Sequence, residues 1–164
     1  MEHGHPLAPA WAAALEATAW ALTVRDSTWI YPLANLTHLL GLVLLVGPIV
    51  AMDLRLLGLS RSIAVPDLSR LLTPFAVIGL ILSIASGSVL FIADAGALVA
   101  NGVFLIKMAL LALGVANAVI FRLLWQRRLG YWDLSAPPMG RLQAVASIAI
   151  WFCTAASGRL IAYF

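Results

Sequence analysis

One histidine, His38, stands well inside the uncharged run Ile30 to Met52. An ionisable side chain at that depth of an apolar segment is costly and marks a functional site by default. At ~1.5 Å per residue, His38 falls about 12 Å from the start of its segment, Lys107 about 6 Å from the start of the third, and Arg159 about 7 Å from the end of the fourth. Asp94 closes the second segment, so every segment brings a polar group to the same layer. Three chemistries fit that layer. Neutral imidazole suits haem b iron or copper, with Lys107 and Arg159 placed to neutralise propionates or another anion. The second axial position would fall to Met108 or to the same histidine of a second copy, since the spanning segments hold no other imidazole. Alternatively His38 titrates as a proton relay, with Asp94 as its partner at the surface. In the plainest reading His38 hydrogen-bonds across a helix contact while Lys107 and Arg159 snorkel to the headgroups.

Other residues offer weaker chemistry. Met1-Glu2-His3 presents an amine, backbone amides and an imidazole, a nitrogen set that suits Cu(II) or Ni(II), with His5 close by. A solvated tail over residues 1–9 explains the same residues. Asp53 and Arg55 mark the exit of the first span, where a local charge pair anchoring that end, or a docking point for a partner, is expected. Exporter classes fare worse, because a small proton-coupled multidrug exporter is expected to keep a membrane-embedded carboxylate, and Asp94 is read as the only acid near a span. The single cysteine, Cys153, has no partner for an intrachain disulfide and reads as a small packed residue. A Gly-rich phosphate loop, a His-Glu-x-x-His pair and a serine with a plausible base are all missing from the sequence, which points away from an enzyme acting alone.

The elements that must hold these groups are helices in a membrane. The chain is 63% hydrophobic and only 10% charged, against roughly 25% charged residues in an ordinary soluble domain. Four apolar segments, 30–52, 71–93, 103–121 and 142–163, approach the ~20 residues that cross a bilayer, and together they predict an all-α, integral membrane four-helix bundle in one domain, 1–164. Residues 10–25 predict a short interfacial helix: Trp11, Leu15 and Leu22 share a face while Glu16 and Thr23 lie elsewhere. Asp26 and Ser27 are placed to cap the first span, with Trp29 and Tyr31 at headgroup level. The N-terminus lacks the basic stretch of a signal peptide, so no cleavage is expected.

Charge orients the bundle. Arg55, Arg61 and Arg70 lie between the first two spans, and Arg122, Arg127, Arg128 and Arg141 between the last two, which is seven of the ten basic residues. The positive-inside rule puts both loops in the cytoplasm and both termini in the periplasm. That role accounts for the net charge of +3 and removes nucleic acid as a partner. The two loops also share a pattern: Arg55-Leu56-Leu57, Arg61, Pro66 and Arg70-Leu71 against Arg122-Leu123-Leu124, Arg127-Arg128, Pro137 and Arg141-Leu142. Parallel hairpin repeats and coincidence both explain it. Close helix packing is expected along three small-residue stripes, Gly79-Ser83-Gly87, Ala112-Ala116 and Thr37-Gly41. Pro48 and Pro74, inside spans, each free a carbonyl and predict a kink.

The order Tyr31-Pro32, His38-Leu39-Leu40-Gly41-Leu42, Asp53-Leu54-Arg55-Leu56-Leu57-Gly58, Lys107-Met108 and Gly158-Arg159-Leu160-Ile161-Ala162-Tyr163-Phe164 resembles a bacterial four-helix membrane family with no assigned function, over nearly the whole chain. More distantly the layout is similar to the membrane domains of copper-resistance D proteins and b561-type cytochromes, which implies histidines inside a helical bundle. The resemblance draws attention to His38, Asp53, Arg55, Lys107 and Arg159 without assigning them roles. The expected protein is a redox- or metal-associated accessory protein of the bacterial inner membrane, carrying haem b or copper in the periplasmic half. The alternatives are a cofactor-free packing subunit of a larger membrane complex, with another membrane protein or a second copy as partner, and a small proton-coupled transporter.

Overall fold

The computed structural model describes residues 9–163, which are helical throughout, with no strand among them. The order is α1 (Ala10–Glu16), α2 (Ala19–Asp26), α3 (Ile30–Leu56), α4 (Val65–Ala93), α5 (Ala95–Ala100), α6 (Gly102–Trp125), a 3-10 turn (Gln126–Tyr131), α7 (Pro138–Leu160) and a final 3-10 turn (Ile161–Tyr163). Among these, α3, α4, α6 and α7 are long and apolar enough to cross a membrane. His3 and His5, the copper tail of the sequence reading, lie outside the described residues.

Several boundaries differ from the expected ones for local reasons. The interfacial helix is two helices, broken at Ala17 and Thr18, because the Thr18 hydroxyl takes the Ala21 N–H at 3.3 Å and starts α2 afresh. Ser27, not Asp26, caps α3: its hydroxyl accepts from the backbone N–H groups of Trp29 and Ile30, at 3.3 and 3.2 Å. Spans α4 and α7 begin earlier than hydropathy predicts, at Val65 and Pro138, since Pro66 and Pro138 occupy the first turn, where a missing N–H costs nothing. Asn101 caps α6 by accepting from Val103 and Phe104, at 2.9 and 3.1 Å.

The helices pack as two antiparallel pairs, α3 with α4 and α6 with α7, and α3 also lies against α7. Small residues decide how close the first pair comes. A Cβ on Gly79 would stand 2.4 Å from the Leu45 nitrogen, and one on Gly41 would stand 2.6 Å from the Ser83 hydroxyl. Gly41 meets Ser83 and Leu45 meets Gly79, the register of an antiparallel crossing. The expected Ala112-Ala116 stripe does not do the same for α6: both alanines are exposed. Gly114, on the opposite side of that helix, receives the Trp151 ring instead, its added Cβ falling 3.0 Å from the indole. Cys153, expected to be packed, is also exposed, because α7 turns Ala144, Ser147, Trp151, Thr154 and Ser157 inward.

The two ends are closed differently. At the end where α3 begins and α7 finishes, the far end, α1, α2 and α5 form a cap. Glu16 accepts from the Gly96 N–H at 2.7 Å, Arg25 donates to the Ala93 carbonyl, and Trp11 stacks on Phe91 at 6.5 Å. At the opposite, basic end the α6–α7 connection folds under α3. Trp132, 2% exposed, donates from Nε1 to the Leu56 carbonyl at 3.0 Å. Gly140 makes room for that ring, since a Cβ there would sit 2.5 Å from it.

Candidate functional site

Two polar regions sit inside the bundle, one in each half. In the far half the His38 ring lies in the α3–α4 seam, its Nδ1 3.1 Å from the Ser86 hydroxyl, and a Cβ on Gly87 would come within 3.1 Å of it. The Ser86 hydroxyl also lies 2.5 Å from the Leu82 carbonyl; with its proton on that carbonyl it accepts from His38, whose neutral ring is then the Nδ1–H tautomer with the Nε2 lone pair free. That state is the one a metal-ligating histidine adopts when its other nitrogen is held by hydrogen bonding.

The other members of the expected layer are only partly gathered. Lys107 is half-buried between α6 and α7, its ammonium 3.4 Å from where a Gly158 Cβ would be, and it acts on His38 electrostatically. Arg159 turns away: it is exposed, donates to the Tyr163 hydroxyl at 2.8 Å and covers that ring at 4.9 Å. Met108 follows Lys107 by about 100° on the helix and faces outward, 44% exposed. Asp94 accepts from the Tyr31 hydroxyl at 3.0 Å at the far end. Met108 faces away from the His38 seam, and no group of three or more metal-binding side chains occurs among the described residues.

The basic half holds what the sequence reading missed. The last turns of α3 separate Asp53 from Arg55, since residues two apart on a helix face opposite ways. Arg55, 2% exposed, reaches across the loops instead of pairing with Asp53. Its Nε donates to the Ile63 carbonyl at 2.7 Å, and its two terminal nitrogens grip Asp133 at 3.0 and 2.7 Å. This bidentate contact holds the Asp133 carboxyl below the usual carboxylate range. Asp53 is left with its back to all of this. It is 7% exposed, and its Oδ2 has no hydrogen-bond partner among the described residues. Asp53, unlike Asp94, is a buried carboxylate within a spanning helix, whereas Asp67 in the first turn of α4 is exposed.

Asp53 borders a cavity of about 820 Å³ bounded by α3, α4, α6 and α7. The cavity exists because α4 and α6 meet only toward their ends. Phe91 stacks on Phe104 at 5.8 Å in the far half, and Arg122 donates to Thr73 in the basic half. Between these contacts Val77 of α4 and Val119 of α6 are exposed, so the cavity opens sideways. Its deep wall is Phe121, Trp151 and Ser147, the serine hydroxyl lying beside Asp53. Trp151 is 1% exposed, and its indole N–H is likewise without a partner among the described residues. Asn117 and Gln143 stiffen the α6–α7 wall by exchanging side-chain-to-backbone bonds at 3.4 and 3.3 Å. Pro48 and Pro74 both face this space, and each removes a backbone donor from its helix there.

Four apolar helices with a polar interior and a capped end define a multi-pass, all-α membrane bundle in a lipid environment. The chain belongs to DUF6644, a family of unknown function, which matches residues 26–164. It matches no curated protein and no solved structure.

Proposed function

We propose that this protein is a small proton-coupled carrier of the bacterial inner membrane, taking an amphipathic molecule sideways from the surrounding leaflet into the cavity at Asp53. The observation that carries this reading is the unpaired, buried carboxylate on a half-open, mostly apolar cavity. Burying an ionised carboxylate without a partner costs several kcal/mol even after relaxation, so the site is comfortable only when Oδ2 holds a proton or a ligand group. A residue that must hold one or the other exchanges them. The arginine-rich loops favour a cytoplasmic basic end, which opens the cavity toward the cytoplasmic leaflet and leaves the α1–α2 cap and the C-terminus periplasmic. The test is binding of an environment-sensitive hydrophobic dye to purified protein across a pH series. Binding that changes with pH in the wild type and loses that dependence in Asp53→Asn is expected; dye that binds identically at every pH overturns the proton coupling.

A second reading, a redox- or metal-associated protein, is favoured by His38, a half-buried imidazole inside a spanning helix whose Nδ1 is held by the Ser86 hydroxyl. A single imidazole needs a further ligand from another chain or from the cofactor's surroundings. A dithionite-reduced absorption spectrum with b-type bands that vanish in His38→Ala is the expected result on this reading, and a featureless spectrum with no bound copper rejects it.

A further inference from the structure

We infer that the occupant of the Asp53 cavity is a lipophilic organic cation, its charge set against the Asp53 carboxylate and its apolar body against Phe121 and the neighbouring apolar wall. The inference rests on the carrier reading above and adds the chemical class of what is carried. The argument begins with charge. The two arginines that line the cavity, Arg70 and Arg122, are exposed, as are Arg61 and Arg141, while the buried Arg55 is engaged elsewhere. Arg55, on the same helix, is taken by Asp133 and the Ile63 carbonyl. Arg70 of α4 pairs with Asp67 at 2.8 Å and is 79% exposed. Arg122 of α6 is exposed at the mouth and donates to Thr73. In the 3-10 turn Arg127 is exposed and Arg128 lies over the Trp125 ring at 5.7 Å. The cavity-facing part of α7 offers only the neutral Gln143 and Ser147. The exposed arginines are screened over ~8 Å at physiological ionic strength, whereas Asp53, 7% exposed, is screened far less.

An anionic or wholly apolar occupant requires Asp53 to keep its proton, whereas a cation compensates the ionised carboxylate itself. A bare metal ion is a poor match, because hard cations take about six oxygen ligands and Asp53 is the only acidic side chain lining the cavity. The walls select an organic body instead. Aromatic faces attract a cation by roughly 0.5–2 kcal/mol, and the half-buried Phe121 lines the space. The volume of about 820 Å³ lies in the range of roughly 300–1,000 Å³ that takes drug-sized molecules. The lateral opening suits a charge carried on apolar groups, since such a molecule concentrates in the leaflet from which the cavity opens.

Three probes of similar size and different charge test this: tetraphenylphosphonium, tetraphenylborate and neutral triphenylphosphine oxide, measured by equilibrium dialysis against the full chain in a non-ionic detergent. Saturable phosphonium binding is expected, weakened about tenfold or more, the equivalent of ~1.4 kcal/mol, in Asp53→Asn and largely restored in Asp53→Glu. In the wild type it should weaken as acid supplies a competing proton, a readout that needs no variant. Neutral probe bound as tightly as the phosphonium, and indifferent to Asp53→Asn, would refute the cation while leaving the cavity as a binding site. Preferred borate binding would refute it in favour of an anion held by the mouth arginines. Failure of all three probes to bind would remove the carrier reading as well.

Discussion

The two halves of α3 run through the same bundle and treat a polar side chain in opposite ways. In the far half His38 is met by a serine and a glycine of the facing helix, and the seam closes around it. In the basic half Asp53 has Ser147 beside it but keeps its Oδ2 without a hydrogen bond, and the neighbouring helices stand apart to leave a cavity. The difference lies in the residues opposite. Gly41 and Gly79 let two backbones approach almost to contact and Gly87 makes room for the His38 ring, while lower down Pro48, Pro74 and the broad Trp151 line the space. A polar group in a closed seam contributes to packing and register. The same kind of group beside an open cavity is free to bind something.

The most disruptive way to break this comparison is Gly79→Ala. The new methyl would stand 2.4 Å from the Leu45 backbone, and backbone cannot swing aside, so a loss of about 3 kcal/mol in detergent unfolding is expected, at the upper end for overpacking. Wild-type stability in that variant would show that the seam is not close-packed. A smaller effect, about 2 kcal/mol, is expected for Gly140→Ala, whose methyl meets the Trp132 ring at 2.5 Å. Because Trp132 underlies the end of α3, this variant should disturb probe binding in the cavity while leaving the His38 seam protected in hydrogen exchange. Equal loss of protection in both halves would erase the distinction between them.

The mildest probe is acid. Arg55 lowers the Asp133 carboxyl below its ordinary range, so this contact stabilises the fold above the unfolded carboxylate value of ~3.9 and is lost as pH falls through the lower folded value. Acid below about pH 4 should therefore loosen the loops of the basic end first. Trp132 fluorescence against pH reports it, and Asp133→Asn should remove that acid step. A step unchanged in this variant would place the titration elsewhere.

Much of the architecture was legible in the chain. Hydropathy located all the spanning helices, and the Gly79-Ser83-Gly87 stripe marked the face of α4 that meets α3. The site was less legible, for reasons of helix rotation. Asp53 and Arg55 look like a pair in sequence, yet two residues along a helix turn by about 200°, a signal that already argued against their pairing. The same turn separates Gly114, which packs, from Ala112 and Ala116, which do not. Arg159 was aligned in depth with His38 and Lys107 but turns to Tyr163, because depth along an axis says nothing about direction around it.

Composition and periodicity by themselves determined that this chain is a bundle of membrane helices with its basic loops at one end, since the cost of placing charge in hydrocarbon depends on each segment alone. Only the tertiary structure decided that Asp53 faces an open cavity, that Arg55 belongs to Asp133, and that His38 is sealed against Ser86 and Gly87. Those outcomes depend on which helix faces which and at what rotation, and that is set by contacts between residues far apart in the chain.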